Sequence, residues 1–217
     1  MNTKTIEFGD NIIKNTRDTV NIINSDDKFK IDNRNNVKGY VEIFDKETGE
    51  NLVKKQNLIV YDSREVILQR MLNYNRVTGT NDRNLFVSWL SVGTGGALTT
   101  DPLNPVAPKL NDTGLYEEIV LDSNNNTYTD SGKKKPFDTI EIQQDNANDN
   151  RYLVGKITTT LLRTEGNGHD LSEAALWLTN TTDPNSVTDV KLFSRVTFST
   201  IRKDSNRELI LVWYLFF

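Results

Sequence analysis

Cysteine is absent from the chain, and histidine occurs once. The first absence excludes a disulfide framework and any thiolate metal site. The second leaves zinc without a usable ligand set and makes a Ser-His-Asp arrangement depend wholly on His169. Charge of one sign is also lacking. With 26 Lys and Arg against 30 Asp and Glu, the net charge is −4, so no broad basic field favours duplex nucleic acid. No stretch approaches the roughly 20 apolar residues that cross a bilayer as a helix. The opening Met1-Asn2-Thr3-Lys4-Thr5-Ile6-Glu7-Phe8 has no apolar core of the signal-peptide kind. These absences point to a chain made and kept in a reducing cytoplasm, or carried in a particle assembled there, without membrane or direct nucleic-acid partners.

What is present is β-strand pattern. The 217 residues suffice for one large all-β domain with a real core. Residues 1–36 are polar and rich in Asn and Asp, with short apolar pairs such as Ile12-Ile13 and Ile22-Ile23, and too little apolar surface to fold alone. They are expected either to form an extended arm ordered on a neighbouring subunit or on the protein's own sheet, or to supply edge strands of the same domain. From residue 37 to 217 the pattern predicts a single antiparallel β-sandwich domain with one short helix.

Val37 to Phe44 and Asn51 to Tyr61 read as a hairpin around Asp45-Lys46-Glu47-Thr48-Gly49-Glu50. A helix should follow, capped by Asp62 or Ser63, with Val66, Ile67, Arg70 and Met71 at one-turn spacings and Leu68 and Leu72 beside them. Further strands are expected at Leu85–Val92, Leu115–Leu121, Phe137–Gln143, Tyr152–Leu162 and Leu171–Leu178, with a closing hairpin of Val190–Ile201 and Leu209–Phe217. Asp101 to Pro108, with three prolines, reads as an extended loop poor in hydrogen bonds. The final run, Leu209-Ile210-Leu211-Val212-Trp213-Tyr214-Leu215-Phe216-Phe217, is apolar without alternation. That predicts a strand covered on both faces, and a chain end tied down where ends ordinarily fray.

The search for chemistry returns no catalytic, cofactor or metal residues. His169 lies in Gly166-Asn167-Gly168-His169-Asp170, which reads as an exposed turn. Gly93-Thr94-Gly95-Gly96 follows a strand but leads into no helix, so neither phosphate-loop spacing is met. It reads as a tight turn requiring positive φ. Asp122-Ser123-Asn124-Asn125-Asn126 and Asp145-Asn146-Ala147-Asn148-Asp149 lack the glycine and terminal acid of a calcium loop. Glu117 and Glu118 should point to opposite faces and so not converge on one substrate. Lys133-Lys134-Lys135 reads as a solvated basic run that has an anionic surface as its alternative. Trp89, Trp177 and Trp213 lie in apolar strands and are expected in the core. Exposed, they and the tyrosines would instead suit a carbohydrate-binding module.

Several stretches in order carry a resemblance: Gln56 to Glu65, Trp89-Leu90-Ser91-Val92-Gly93-Thr94-Gly95-Gly96, Asp101-Pro102-Leu103-Asn104-Pro105, Asn111-Asp112-Thr113-Gly114-Leu115-Tyr116, Leu171-Ser172-Glu173-Ala174-Ala175-Leu176-Trp177, Leu192 to Phe198 and Trp213 to Phe217. Over residues 37–217 the chain resembles virion structural proteins of tailed bacteriophages, of the neck, collar and tail-fibre-attachment β-sandwich type. Glu173-Ala174-Ala175-Leu176 is similar to a strand of tail-collar fibre domains. The resemblance implies a non-enzymatic component that forms a ring or attachment layer in the virion. Its implied partners are copies of itself and other virion proteins such as portal, connector, sheath or fibre proteins.

Overall fold

The computed structural model describes residues 4–8, 11–16, 19–24, 27–32, 38–60, 62–64, 66–67, 85–144 and 153–216. The chain is mainly β, as its pattern predicts. Four short strands, β1 (Lys4–Phe8), β2 (Asn11–Thr16), β3 (Thr19–Asn24) and β4 (Asp27–Asp32), pair in sequence as an antiparallel sheet of their own. Within the segment expected as an arm or as edge strands, these four strands form a meander.

The remaining major strands build one antiparallel sheet. They are β5 (Lys38–Asp45), β6 (Asn51–Ile59), β7 (Phe86–Gly93), β10 (Lys135–Pro136), β11 (Thr139–Gln144), β12 (Leu153–Leu161), β13 (His169–Thr179), β14 (Val190–Lys203) and β15 (Leu209–Phe216). Their order across the sheet is β10-β7-β13-β14-β6-β5-β15-β12-β11. The hairpin β8 (Ala97–Leu98) and β9 (Asp101–Pro105) stands apart, so the proline-containing stretch expected as an unpaired loop holds a short paired strand.

The two-layer sandwich expected from the strand spacing takes a different form: a single nine-stranded sheet curls into a half-barrel. The cause is β6. Residues Asn51 to Asn57 pair with β5, while Leu58 and Ile59 pair with Arg195 and Ser194 of β14. One strand thus belongs to both halves, and the sheet bends there. Register shifts between β13 and β14, at Leu171/Glu173 and Leu176/Trp177, add the local twist that β-bulges bring.

The concave face holds the main core. Val41, Ile43, Val53, Ile157, Leu209, Leu211 and Trp213 come from one half, and Leu90, Val92, Ala174, Leu176, Val196 and Phe198 from the other. The helical residues 62–64 and 66–67 add Val66, 2 % exposed, with Ile67 packed against the cluster. The expected cap is displaced. Ser63 lies inside the helix and its hydroxyl donates to the Val60 carbonyl at 2.7 Å. Leu68, Arg70, Met71 and Leu72 fall outside the described residues.

β15 sits between β5 and β12. Leu209, Leu211, Trp213 and Leu215 are buried on the concave side, and on the other face Val212 is buried while Ile210, Tyr214 and Phe216 are half-buried. The apolar run is explained by its central place in the sheet. Phe217 lies outside the described residues. Removing the Trp213 ring leaves a void among the concave-face side chains, so Trp213→Ala is expected to cost about 3–5 kcal/mol, read as a lowered denaturant midpoint in chemical unfolding.

The β5–β6 turn is fixed by Asp45. Its Oδ1 accepts the backbone N–H of Thr48 at 3.0 Å and of Glu47 at 3.1 Å, and its Oδ2 meets Arg207 Nε at 2.7 Å. Those backbone bonds, with the Arg207 charge behind them, hold the carboxyl below its ordinary value. A depressed folded pKa gives stability that is present above the unfolded value and lost as pH falls through the folded one. Asp45→Asn should therefore lower Tm at about pH 6, with the gap to wild type closing by about pH 2, as thermal melts across that range would read.

Candidate functional site

The convex face of β7, β13 and β14 carries the densest group of polar side chains. Antiparallel register places Glu173 opposite Gly93 on one side and Thr197 on the other, and Ala175 opposite Arg195. Glu173 and Arg195 are fully buried, although neither belongs to the concave core. The segment after β7 folds back over them.

Glu173 Oε1 accepts the backbone N–H of Glu117 at 2.8 Å and of Gly95 at 3.1 Å. Its Oε2 accepts Tyr116 N–H at 3.1 Å, Arg195 Nε at 3.0 Å and Arg195 NH2 at 2.6 Å. Arg195 NH1 reaches Asp112 Oδ2 at 2.6 Å, and its guanidinium lies 3.7 Å from the centroid of the Tyr116 ring. Burial alone would pull the guanidinium pKa down, but Tyr116, Asp112 and Glu173 outweigh it and hold it above its ordinary value. A carboxylate satisfied by three backbone donors and a forked arginine is a fastener. It offers no free lone pair to a substrate.

This arrangement explains the glycines. None of Gly93, Gly95 and Gly96 has positive φ, so the expectation of a left-handed turn is corrected. A Cβ at Gly93 or Gly95 would fall closer than 3.0 Å to Glu117 backbone atoms, and one at Gly96 equally close to the Ser172 carbonyl. They are glycines because another backbone and a carboxylate lie against them. Ser172 completes the closure. Its Oγ accepts N–H from Gly96 at 2.9 Å and Ala97 at 3.1 Å and donates to Thr94 O at 2.7 Å.

The same geometry corrects the strand expected at Leu115–Leu121. Only a single bridge, Gly93 to Glu118, forms there, because the N–H groups of Tyr116 and Glu117 are taken by Glu173 rather than by a neighbouring strand. Beneath the segment a small apolar cluster of Val60, Trp89, Ala175, Trp177 and Leu192 packs with Leu115.

Lys134 and Lys135, expected to be solvated, are buried. Lys134 Nζ pairs with Glu118 at 3.1 Å and with Asp130, and stands 4.3 Å from the Trp177 ring centroid. Lys135 Nζ meets Glu165 at 2.8 Å and the Thr160 carbonyl at 2.6 Å. Tyr128 donates to the same Glu165, and burial followed by that carboxylate drives the phenol pKa well upward. Periodicity carries no signal for these pairs, since their partners lie far away in sequence.

His169 opens β13, partly exposed. The nearest candidates for a triad are committed elsewhere: Asp170 pairs with Arg202 at 3.2 Å, and Ser172 Oγ is engaged as above. Glu117 and Glu118 part company, Glu117 exposed and Glu118 turned to Lys134. Asp122 closes its own turn by accepting Asn124 N–H at 2.9 Å. The stretch 145–149 lies outside the described residues. Among the described residues no group of three His, Asp or Glu side chains is placed to hold a metal ion. The three tryptophans are in the interior, with Trp89 and Trp213 at 0 % and Trp177 at 6 % exposure.

Comparison with protein-family models, with curated proteins and with solved structures finds no match.

Two outcomes follow. Glu173→Ala leaves the buried Arg195 with Asp112 as its remaining carboxylate and strips the N–H groups of Gly95, Tyr116 and Glu117 of their acceptor, so it should cost about 3–5 kcal/mol. Arg195→Ala should then cost less in that background than in wild type, and equal costs in a double-mutant unfolding cycle would contradict the pairing. His169→Ala should stay within about 0.5 kcal/mol of wild type in the same unfolding assay.

Proposed function

We propose that this chain is a non-enzymatic structural component of a tailed bacteriophage particle, forming a ring or attachment layer at the neck, collar or tail through protein–protein contacts. The observation that carries the reading is a division of labour among side chains. The titratable groups that chemistry would need, Glu173, Arg195, Glu165, Lys134 and Lys135, are buried and bonded to one another or to backbone. The apolar groups that association would need stand outside. Leu98 and Leu103 on the β8–β9 hairpin are 60 % and 74 % exposed, and Ile140 and Ile142 on β11 are 61 % and 79 % exposed. Exposed apolar side chains grouped on a hairpin and an edge strand mark contact surfaces.

The resemblance of residues 37–217 to phage virion proteins supports the same reading. The stretches that carry it, around Gly93, Asp112, Glu173 and Arg195, meet in one buried network, as expected of a scaffold. The partners proposed are further copies of the chain and neighbouring virion proteins, in a particle assembled in the host cytoplasm. A carbohydrate-binding role draws no support from the tryptophans, which are interior.

The test is quantitative mass spectrometry of purified particles from a lysate of cells producing this chain. The chain should be present at a fixed, multiple copy number per particle and should remain through gradient purification and a salt wash. Its absence from particles, with the soluble fraction retaining all of it, would contradict the reading.

A further inference from the structure

We propose that Lys203 and Asn167 form an intramolecular isopeptide bond, a covalent amide that ties the loop before β13 to the end of β14. The inference concerns the chain's own chemistry and does not rest on the assembly reading.

Lys203 stands apart from Lys134 and Lys135, each of which meets a carboxylate, at 3.1 Å and 2.8 Å. It is 0 % exposed. Among the described residues its Nζ bonds to two neutral oxygens, Asn167 Oδ1 at 2.9 Å and the Asp204 carbonyl at 3.0 Å. An ammonium enclosed without a paired anion is costly, and such a group tends to give up its proton. Burial holds the Lys203 amine below its ordinary value, outweighing the opposing charges of Asp204, Glu165 and Glu208. A desolvated, neutral lysine amine is a nucleophile. The side-chain carbonyl it already touches belongs to Asn167.

The loop presents that amide in a fixed orientation. Gly166 and Gly168, with φ of 59° and 83°, turn the backbone sharply on either side of Asn167. Gly168 N–H donates to the Lys203 carbonyl at 2.9 Å, and Arg202 NH1 donates to the Gly168 carbonyl at 2.9 Å. The loop is thus pinned to β14 at the residue that supplies the amine. Asn167 Nδ2 donates to the Arg163 carbonyl at 2.5 Å while Oδ1 accepts from Lys203, so both ends of the amide are held. Adding a C=O bond of ~1.2 Å to the 2.9 Å contact places Nζ no more than about 4.1 Å from Asn167 Cγ. A near-attack arrangement needs ~3–3.5 Å, and well-aligned groups reach effective concentrations of about 10⁵–10⁸ M. Such alignment is what lets an amine react with an unactivated amide.

The step balances without a redox partner. The Lys203 lone pair attacks Asn167 Cγ, the Nζ–Cγ bond forms and the Cγ–Nδ2 bond breaks. A proton passes from Nζ to Nδ2 through water at the exposed Asn167, and the leaving group departs as ammonia. One amide replaces another. A competing route closes Asn167 onto the Gly168 nitrogen as a succinimide and also expels ammonia. Here that nitrogen is engaged, its N–H bonded to the Lys203 carbonyl, which favours the lysine. The link spans 36 residues of sequence and closes the neighbouring strands β13 and β14 into a covalent ring.

Intact-mass and peptide-mapping mass spectrometry of the full-length chain test this. The wild type should weigh one ammonia less than its sequence, and its digest should contain a branched peptide joining residues 167 and 203. Asn167→Ala, a change at an exposed position, should keep the circular dichroism of the wild type and show its full sequence mass. Lys203→Arg should likewise show its full mass. A folded wild type that retains its full sequence mass after prolonged warm incubation would overturn the proposal. So would a loss of ammonia that persists in Lys203→Arg, or that maps to an unbranched peptide at Asn167-Gly168, since either marks the succinimide.

Discussion

Glu173 is where the two faces of the sheet and the longest connection in the described chain are tied together. It stands on the central strand of one half of the half-barrel, and its carboxylate gathers donors from Gly95, Tyr116, Glu117 and Arg195. Without that anion, the N–H groups of 116 and 117 lose their acceptor, and the buried Arg195 keeps Asp112 as its remaining carboxylate. Burying such a pair brings little net stability compared with an apolar pair of equal volume, but removing either partner leaves a buried charge uncompensated. The network therefore serves to select one path for residues 93–118 over other ways of covering Trp89 and Trp177. Lys134 with Glu118 and Lys135 with Glu165 continue the same device along the following segment.

The concave face depends on a different constraint, the sharing of β6 between both halves. Because Leu58 and Ile59 stay paired to β14 while the rest of the strand follows β5, the core closes from two sides without a second sheet. The curl also has a consequence at its ends. A half-barrel has two edges where a closed barrel has none, and at the β11 edge the apolar face continues as Ile140 and Ile142 beyond the side chains that cover it. The bonded loops on one face and the exposed isoleucines of β11 belong to one molecule.

The parts of this fold readable in the sequence are those governed by local pattern. The β5–β6 hairpin follows from its turn, β7 and β15 from their apolar runs, and β13 from the company of other strands. Interior tryptophans follow from their apolar neighbours. What escaped reading was set by partners distant in sequence. Gly93, Gly95 and Gly96 look like turn glycines until Glu117 and Ser172 are seen against them. Lys134 and Lys135 look solvated until Glu118 and Glu165 arrive. Leu115 to Leu121 has strand composition, but a carboxylate from β13 takes its hydrogen bonds. The four strands before Lys38 escaped because their apolar residues come in pairs such as Ile12-Ile13, which obscure a period of two. A sandwich and a curled single sheet share one strand pattern, and only the double allegiance of β6 separates them.

The central claim is that the chain works through its edges while its polar interior stays fixed. Hydrogen-exchange mass spectrometry on the free chain and on the chain within particles tests this directly. The account predicts that β13 and the 93–118 segment exchange slowly and equally in both states, and that protection on assembly rises at Thr139–Gln144 and at the β8–β9 hairpin. Unchanged exchange at those two edges, with the change falling instead on residues around Glu173 and Arg195, would contradict it.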